Sequence, residues 1–363
     1  MRHFFRNFDY TLLILVAILT IVGVMMIDSA THDVPSLADR VSSQIVYGIV
    51  GLVLVFLVAA LDYRLLTSTY LWIYGGIVLF LALGTLLGVE GEAGAQSWIN
   101  LGIAGFQPSE LAKILLIVVL AQHLARNREH IGRLPTVLRS LGFVAVPVFF
   151  IFIQPDLGIS ILLLVVWFVM VWAAGMDWKH ILLIVVAALI ALPILWSQME
   201  DYQRSRIAVF INPKADPAAS YNIDQALTAI GNGGLLGRGY MNGSQTQRRF
   251  LRVRHTDFIF AVIAEELGFV GAIAVLGLML LVVLRLLRAA RLAPDMAGSL
   301  ICIGVATVIF FQTLVSVGMN MRLMPVTGLT LPFISSGGSS LVTLLLGIGL
   351  AESVVVHRRP HEP

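Results

Sequence analysis

Residues 137–175 run VLRSLGFVAVPVFFIFI, then QPD, then LGISILLLVVWFVMVWAAG. Two apolar runs of membrane-crossing length are parted by three residues, Gln154, Pro155 and Asp156. About 38 residues is too long for a single crossing, and proline disfavours helix at the residue before it. The stretch therefore predicts two spanning helices joined by a tight turn. It lacks strand-like alternation, so the spans are helices and not strands of a barrel.

Working outward, the same pattern recurs. Ten candidate spans fall near 11–28, 43–61, 70–88, 110–125, 137–153, 158–175, 180–197, 258–285, 297–317 and 338–356. The composition agrees. Of 363 residues, 58% are hydrophobic and 12% charged, against roughly 25% charged in soluble domains. That excludes a soluble enzyme, a disordered chain and a collagen-like protein. The expected fold is all-α, a polytopic membrane protein with ten transmembrane helices. Residues 198–256 form one long extracytoplasmic loop between spans seven and eight. Residues 1–363 read as a single membrane domain. The lone cysteine, Cys302, permits no internal disulfide and no cysteine-based metal site.

Ten spans put both termini on one side. Short connections there carry Arg2, Arg6, Arg64, Arg126, Arg128, Arg133, Arg139, Lys179, Arg285, Arg288 and Arg291. The positive-inside rule makes that side cytoplasmic. The inner loops then read as topology and little else. The unusual sequence collects on the outer side.

Ionisable residues in or beside spans are functional hypotheses by default. Glu110 and Lys113, at i and i+3, can meet on one helix face. They form either a local ion pair or a cavity-facing lysine that meets an anionic head group. Asp156 can cap the sixth helix or serve a site. Glu265 and Glu266 interrupt the eighth span, one expected toward a cavity and one toward a neighbouring helix. Between residues 200 and 254, eight basic residues, Arg204 and Arg206 among them, face four acidic ones. That is either a solvated loop attracted to anionic lipid or a site for a phosphate-bearing substrate. Gly231, Gly233, Gly234, Gly237, Gly239 and Gly243 could let backbone N–H groups surround an anion. Ile223, Leu227 and Ile230 are spaced as a short amphipathic helix on or in the bilayer, stopped by Gly231. Asp257 stands at the mouth of the eighth span, where a desolvated carboxylate can act as a general base. Capping by it or by Thr256 is the structural alternative.

Several long motifs, in order, resemble the SEDS family (shape, elongation, division and sporulation). They are Gln107-Pro108-Ser109-Glu110-Leu111-Ala112-Lys113, Gln154-Pro155-Asp156-Leu157-Gly158 and Gly231-Asn232-Gly233-Gly234-Leu235. His255-Thr256-Asp257-Phe258-Ile259-Phe260 and Ala264-Glu265-Glu266-Leu267-Gly268 follow. Pro325-Val326-Thr327-Gly328, Pro332-Phe333-Ile334-Ser335 and Gly337-Gly338-Ser339-Ser340 complete the set. Thr327 fits the RodA-like elongation branch, since the division branch usually has lysine there. The resemblance covers nearly the whole chain.

It implies a peptidoglycan glycosyltransferase that polymerises lipid II outside the bacterial cytoplasmic (inner) membrane, with release of undecaprenyl pyrophosphate. It also implies a class B penicillin-binding protein as transpeptidase partner. The family's essential aspartate maps onto Asp257, the expected catalytic base. Glu110, Lys113, Asp156, Arg204, Arg206, Gln245, His255, Thr256 and Ser339 are the expected substrate-binding set. A divalent cation, Mg or Mn, is the expected cofactor, with no organic cofactor and no nucleic-acid partner. Ser97, Arg252, Val253, Ser316, Arg322 and Ser336 depart from the family's usual residues; the usual Asn before Gly318 is displaced. All lie on the outer side. A lipid-linked precursor flippase or transporter, or a scaffold for the transpeptidase, would share the helices and buried charges. A transporter would place its functional polar groups at mid-membrane.

Overall fold

A computed structural model describes residues 6–32, 34–87, 99–100, 105–213 and 216–358. The chain is helical. Helix α1 is Tyr10–Thr31, α2 Asp39–Ala60, α3 Tyr63–Ser68, α4 Tyr70–Leu87, α5 Pro108–Arg126, α6 Leu134–Ile153 and α7 Leu157–Ala173. Then come α8 Trp178–Gln198, α9 Asp201–Ile211, α10 Pro217–Gly233, α11 Ser244–Gln247, α12 Ile259–Leu292, α13 Met296–Asn320 and α14 Gly338–Val356. The all-α expectation needs one small correction. Ile99–Asn100 (β1) pairs antiparallel with Gly105–Phe106 (β2). Ser97 lies outside the described residues.

Seven of these helices are long and apolar enough to cross a membrane, and three shorter apolar helices accompany them. Their outward faces are hydrophobic. Ile14, Ile18, Ile21 and Met25 line one side of α1, and Ile49, Val53 and Leu57 one side of α2, all exposed. In water such a belt would aggregate; in a bilayer it is the solvent-facing surface. The chain is a multi-pass membrane protein. Its buried centre is formed by α5, α13 and α14, which carry few exposed side chains.

The Gln154-Pro155-Asp156 turn separates α6 from α7, as the opening stretch predicts. Gln154 Nε2 donates to the Leu81 carbonyl (3.2 Å), and Asp156 caps α7 by accepting from Ile159 N (3.0 Å).

Residues 198–256 do not form a plain loop. Among the described residues they contain α9, α10 and α11. Helix α10 turns one face to protein. Its face of Ile223, Ala226 and Ala229 is buried against α12. It runs past Gly231 and ends at Gly233, where Gly234 turns the chain with φ +56°.

Helix α12 is broken at Gly268, with φ 70° and ψ −170°. Glycine adopts that backbone without the Cβ penalty. The groups freed by the break are paired by the turn segment after α10. Arg238 N and Gly239 N donate to the carbonyls of Glu265 and Glu266, both at 3.0 Å. Phe269 N and Val270 N donate to Gly234 O (2.9 Å) and Leu235 O (3.1 Å). Residues 258–266 are buried, whereas Phe269, Val270 and Ile273 are exposed apolar residues. The lipid-facing part of α12 therefore starts at residue 269, not at 258. The segment before the break is packed inside protein.

Candidate functional site

Asp257 stands one residue before Phe258, which is the N-cap residue of α12. Neither Asp257 nor Thr256 caps the helix. The backbone around Asp257 is held from three directions. Asn320, at the end of α13 and fully buried, donates Nδ2 to Asp257 O (2.9 Å) and accepts from Ala261 N (3.1 Å). Ser335 Oγ donates to Thr256 O (2.8 Å). Ser336 N donates to His255 O (2.9 Å). Among the described residues, no group hydrogen-bonds the Asp257 carboxylate itself, which is half-buried. Burial pushes its pKa up to about 6, and the nearby Arg206 guanidinium pulls the other way.

A second carboxylate shares that cation. Asp156 is half-buried and accepts from Gln107 Nε2 (3.2 Å) besides capping α7. Its pKa is also pushed up to about 6, by burial above all. The Ile159 N–H bond, Lys113 and Arg206 oppose that shift, and Glu110 adds to it. Arg206, on α9, thus lies in the field of both aspartates, and its Nη1 donates to Val326 O (3.3 Å). Val326 belongs to the Pro325-Val326-Thr327-Gly328 stretch. That stretch packs on the start of α7 closely enough that a Cβ at Gly158 would stand 2.8 Å from Thr327 O.

Lys113 Nζ and Glu110 Oε2 form a local ion pair at 2.5 Å, with the Lys113 side chain fully buried. Of the two alternatives left by their spacing, the local pair is the one formed. Lys113 acts on Asp156 through its charge, not by reaching into an open cavity. Ser339 Oγ accepts from Gln107 N (3.2 Å), joining α14 to the start of α5.

The remaining sequence candidates lie elsewhere. Arg204 turns to the carbonyls of Trp196 (3.2 Å) and Ser197 (3.0 Å), away from the aspartates. Gln245 sits on α11, and its N–H donates to Glu265 (2.8 Å). That is a shelf about 12 Å along the chain from Asp257 at 1.5 Å per helical residue. His255 is buried and Thr256 half-buried, both in the lashed turn before Asp257. Among the described residues no group of three or more His, Cys, Asp or Glu is placed to hold a metal ion.

The two glutamates do not face an open cavity. Glu265 accepts from Ser244 Oγ, Gln245 N, Thr246 N and Thr246 Oγ1, at 2.8–3.1 Å. It thereby caps α11. Glu266 accepts from Ser29 Oγ of α1 (2.5 Å) and from Met241 N (3.2 Å). Two of the six glycines, Gly233 and Gly237, pack on α12. A Cβ at Gly233 would stand 2.8 Å from the Ala264 carbonyl carbon, and one at Gly237 2.7 Å from Gly268 N. They permit backbone to pack on backbone. Arg254 is likewise structural, donating Nε to Ala30 O (2.5 Å).

Sequence reasoning missed Asn320. It treated the family's usual Asn as displaced, yet Asn320 holds Asp257. An amide at the end of an otherwise apolar helix was the available signal.

Comparison with known proteins gives the chain its family. A family model described as Cell cycle protein, spanning FtsW, RodA and SpoVE, matches residues 9–360. The chain belongs to the FtsW/RodA/SpoVE family. Within it, the peptidoglycan glycosyltransferase MrdB of Escherichia coli K12 is 36% identical over 359 residues, covering 97% of this chain and 95% of MrdB. Among solved structures, a chain from a peptidoglycan synthase complex that coordinates polymerization and crosslinking superposes with a TM-score of 0.85. It is 34% identical and covers 97% of this chain and 98% of its own. The crystal structure of the Thermus thermophilus rod shape determining protein RodA gives a TM-score of 0.74 at 34% identity, covering 97% and 98% of the two chains.

Proposed function

We propose that this FtsW/RodA/SpoVE protein is a peptidoglycan glycosyltransferase that polymerises lipid II for cell elongation. The observation that carries the mechanism is the half-buried Asp257 carboxylate, held through its backbone, without a hydrogen bond to its oxygens among the described residues, and in the field of the Arg206 guanidinium.

Glycosyl transfer needs a base for the acceptor hydroxyl and charge stabilisation for a departing pyrophosphate. Asp257 takes the proton of the acceptor sugar 4-hydroxyl. The oxygen attacks the anomeric carbon of the lipid-linked donor; the new C–O bond forms as the bond to pyrophosphate breaks. One displacement inverts α to β. Raising the carboxylate toward pH 6 makes it a better base while leaving it ionised at neutral pH. Arg206 is the cation that faces the leaving undecaprenyl pyrophosphate. The sealed Lys113–Glu110 pair positions the start of α5 and Asp156. A divalent cation, Mg or Mn, would be held by Asp257 with substrate phosphates and would supply charge stabilisation to the leaving pyrophosphate. One or two carboxylates plus phosphates suit Mg.

The proposed arrangement is a single membrane domain with ten spans, in the bacterial cytoplasmic membrane, both termini cytoplasmic and Asp257 outside. The seven long and three shorter apolar helices support that number. The likeness to a chain of a peptidoglycan synthase complex supports a class B penicillin-binding protein as partner. The test incubates purified protein with lipid II, alone and with the transpeptidase, and looks for glycan strands. Strands are expected from the parent and none from Asp257→Ala. A folded parent that makes no strands under either condition overturns the proposal.

A further inference from the structure

Helix α5 starts at Pro108, next to Gln107 at the site, and ends at Arg126, about 27 Å away at 1.5 Å per residue. At that far end lies a cavity of about 460 Å³. Arg64, Arg126, Arg128, Asp295, Thr67 and Gln122 are among the residues that line it. Its size falls in the range of ligand pockets, and the proposed reaction does not use it.

Three arginines and one aspartate are among the lining residues, and the aspartate is engaged. Asp295 accepts from Gly298 N (2.8 Å), Tyr63 Oη (2.6 Å) and Arg64 Nε (3.3 Å). Arg64 is further shared with Asp62 at 3.7 Å. Arg126 is held over the Tyr70 ring, 5.0 Å from its centroid, which fixes its direction without neutralising it. Among the described residues, neither Arg126 nor Arg128 forms an ion pair. Positive-inside topology requires basic residues on this side, but it does not require that they converge on a concavity.

Exposed apolar residues adjoin the lining residues Arg64 and Ser68 along the chain. Leu65 on α3 and Leu71 and Trp72 at the start of α4 are exposed, Trp72 at 86%. Tryptophan at a helix end marks the headgroup level of a bilayer. A phosphate that docks on Arg126 and Arg128 would therefore have hydrocarbon surface beside it. We propose that this pocket binds the phosphodiester headgroup of an anionic phospholipid, with the acyl chains along Leu65, Leu71 and Trp72. A free phosphate ion shares the anion chemistry, but it leaves those apolar residues unused.

The test is native mass spectrometry of the full-length protein in detergent, titrated separately with phosphatidylglycerol, phosphatidylcholine and inorganic phosphate. Phosphatidylglycerol should bind the parent in preference to phosphatidylcholine. The double variant Arg126→Gln/Arg128→Gln should weaken it about thirtyfold, the loss expected for two basic residues at a membrane surface. Arg126→Lys/Arg128→Lys, which keeps both charges, should retain most of the binding. Thermal unfolding without lipid checks that both variants fold. Equal affinity for the two lipids, or equal affinity of parent and Gln variant, overturns the proposal. So does Arg-dependent binding of inorganic phosphate without a preference for phosphatidylglycerol.

Discussion

Asn320→Ala tests whether the base is positioned through its backbone. The side chain spans two elements, donating to Asp257 O at 2.9 Å and accepting from Ala261 N at 3.1 Å. Ala261 N keeps a second acceptor, Phe258 O at 3.1 Å, so its loss is partial. The Asp257 carbonyl has no such reserve among the described residues. Orphaning one buried acceptor costs about 1–3 kcal/mol, so the variant should lose about 2 kcal/mol of stability. The larger effect falls on chemistry. A displacement of about 1 Å at a reacting group costs on the order of 100-fold in rate, and kcat should fall by that much with KM little changed. A purely structural role would not move the pH profile. Here the acid limb, set by Asp257 near 6, should shift downward as water reaches a loosened carboxylate. The assay is lipid II polymerisation between pH 5 and 8, with thermal unfolding alongside. An Asn320→Ala enzyme within threefold of the parent, its acid limb unmoved, refutes the argument.

Other outcomes follow from the same geometry. In the parent, kcat should rise about tenfold per unit up to pH 6 and level off above it, because the working form of Asp257 is the ionised one. Asp257→Asn should be inactive yet at least as stable. A carboxyl raised from 3.8 to about 6 in the fold contributes stability that is present below pH 4 and lost as pH rises through 6. The Asn variant should gain at most about 3 kcal/mol at pH 8 and show a flatter dependence of Tm on pH. Lys113→Met leaves Glu110 buried without its partner and should cost about 3–5 kcal/mol. Adding Glu110→Gln should recover most of it, and thermal unfolding of both variants reads the difference. Gly268→Ala forces a side chain onto φ 70° with Leu235 O at 2.6 Å, and should cost at least about 1–3 kcal/mol in the same assay.

The spans were legible because lipid imposes length and composition, and Pro155 marked the turn between α6 and α7. The aspartates were legible because charge is scarce in such a chain. The region after α8 was not, because Ile223, Ala226 and Ala229 become a buried face only once α12 is there to receive it. The glycines were ambiguous for a related reason. Close backbone packing and anion binding both require the absence of Cβ, and sequence does not say which neighbour comes close. Arg204 and Arg206 are two residues apart on α9, and so point to different sides of it; only Arg206 meets the aspartates. Arg126 and Arg128 looked like markers of topology because a charge count carries no information about convergence.

The break at Gly268 has a consequence for how the enzyme meets its membrane. The lipid-facing helix begins beyond it. The piece that carries Asp257 is fastened through Glu265 and Glu266 to α11 and α1. A bilayer that thickens or thins acts on helices by tilting them. Here the helix is already interrupted at the glycine, and the residues before the break are held by protein neighbours. The Asp257 carboxylate should therefore keep its level relative to Arg206 while the lipid around it varies.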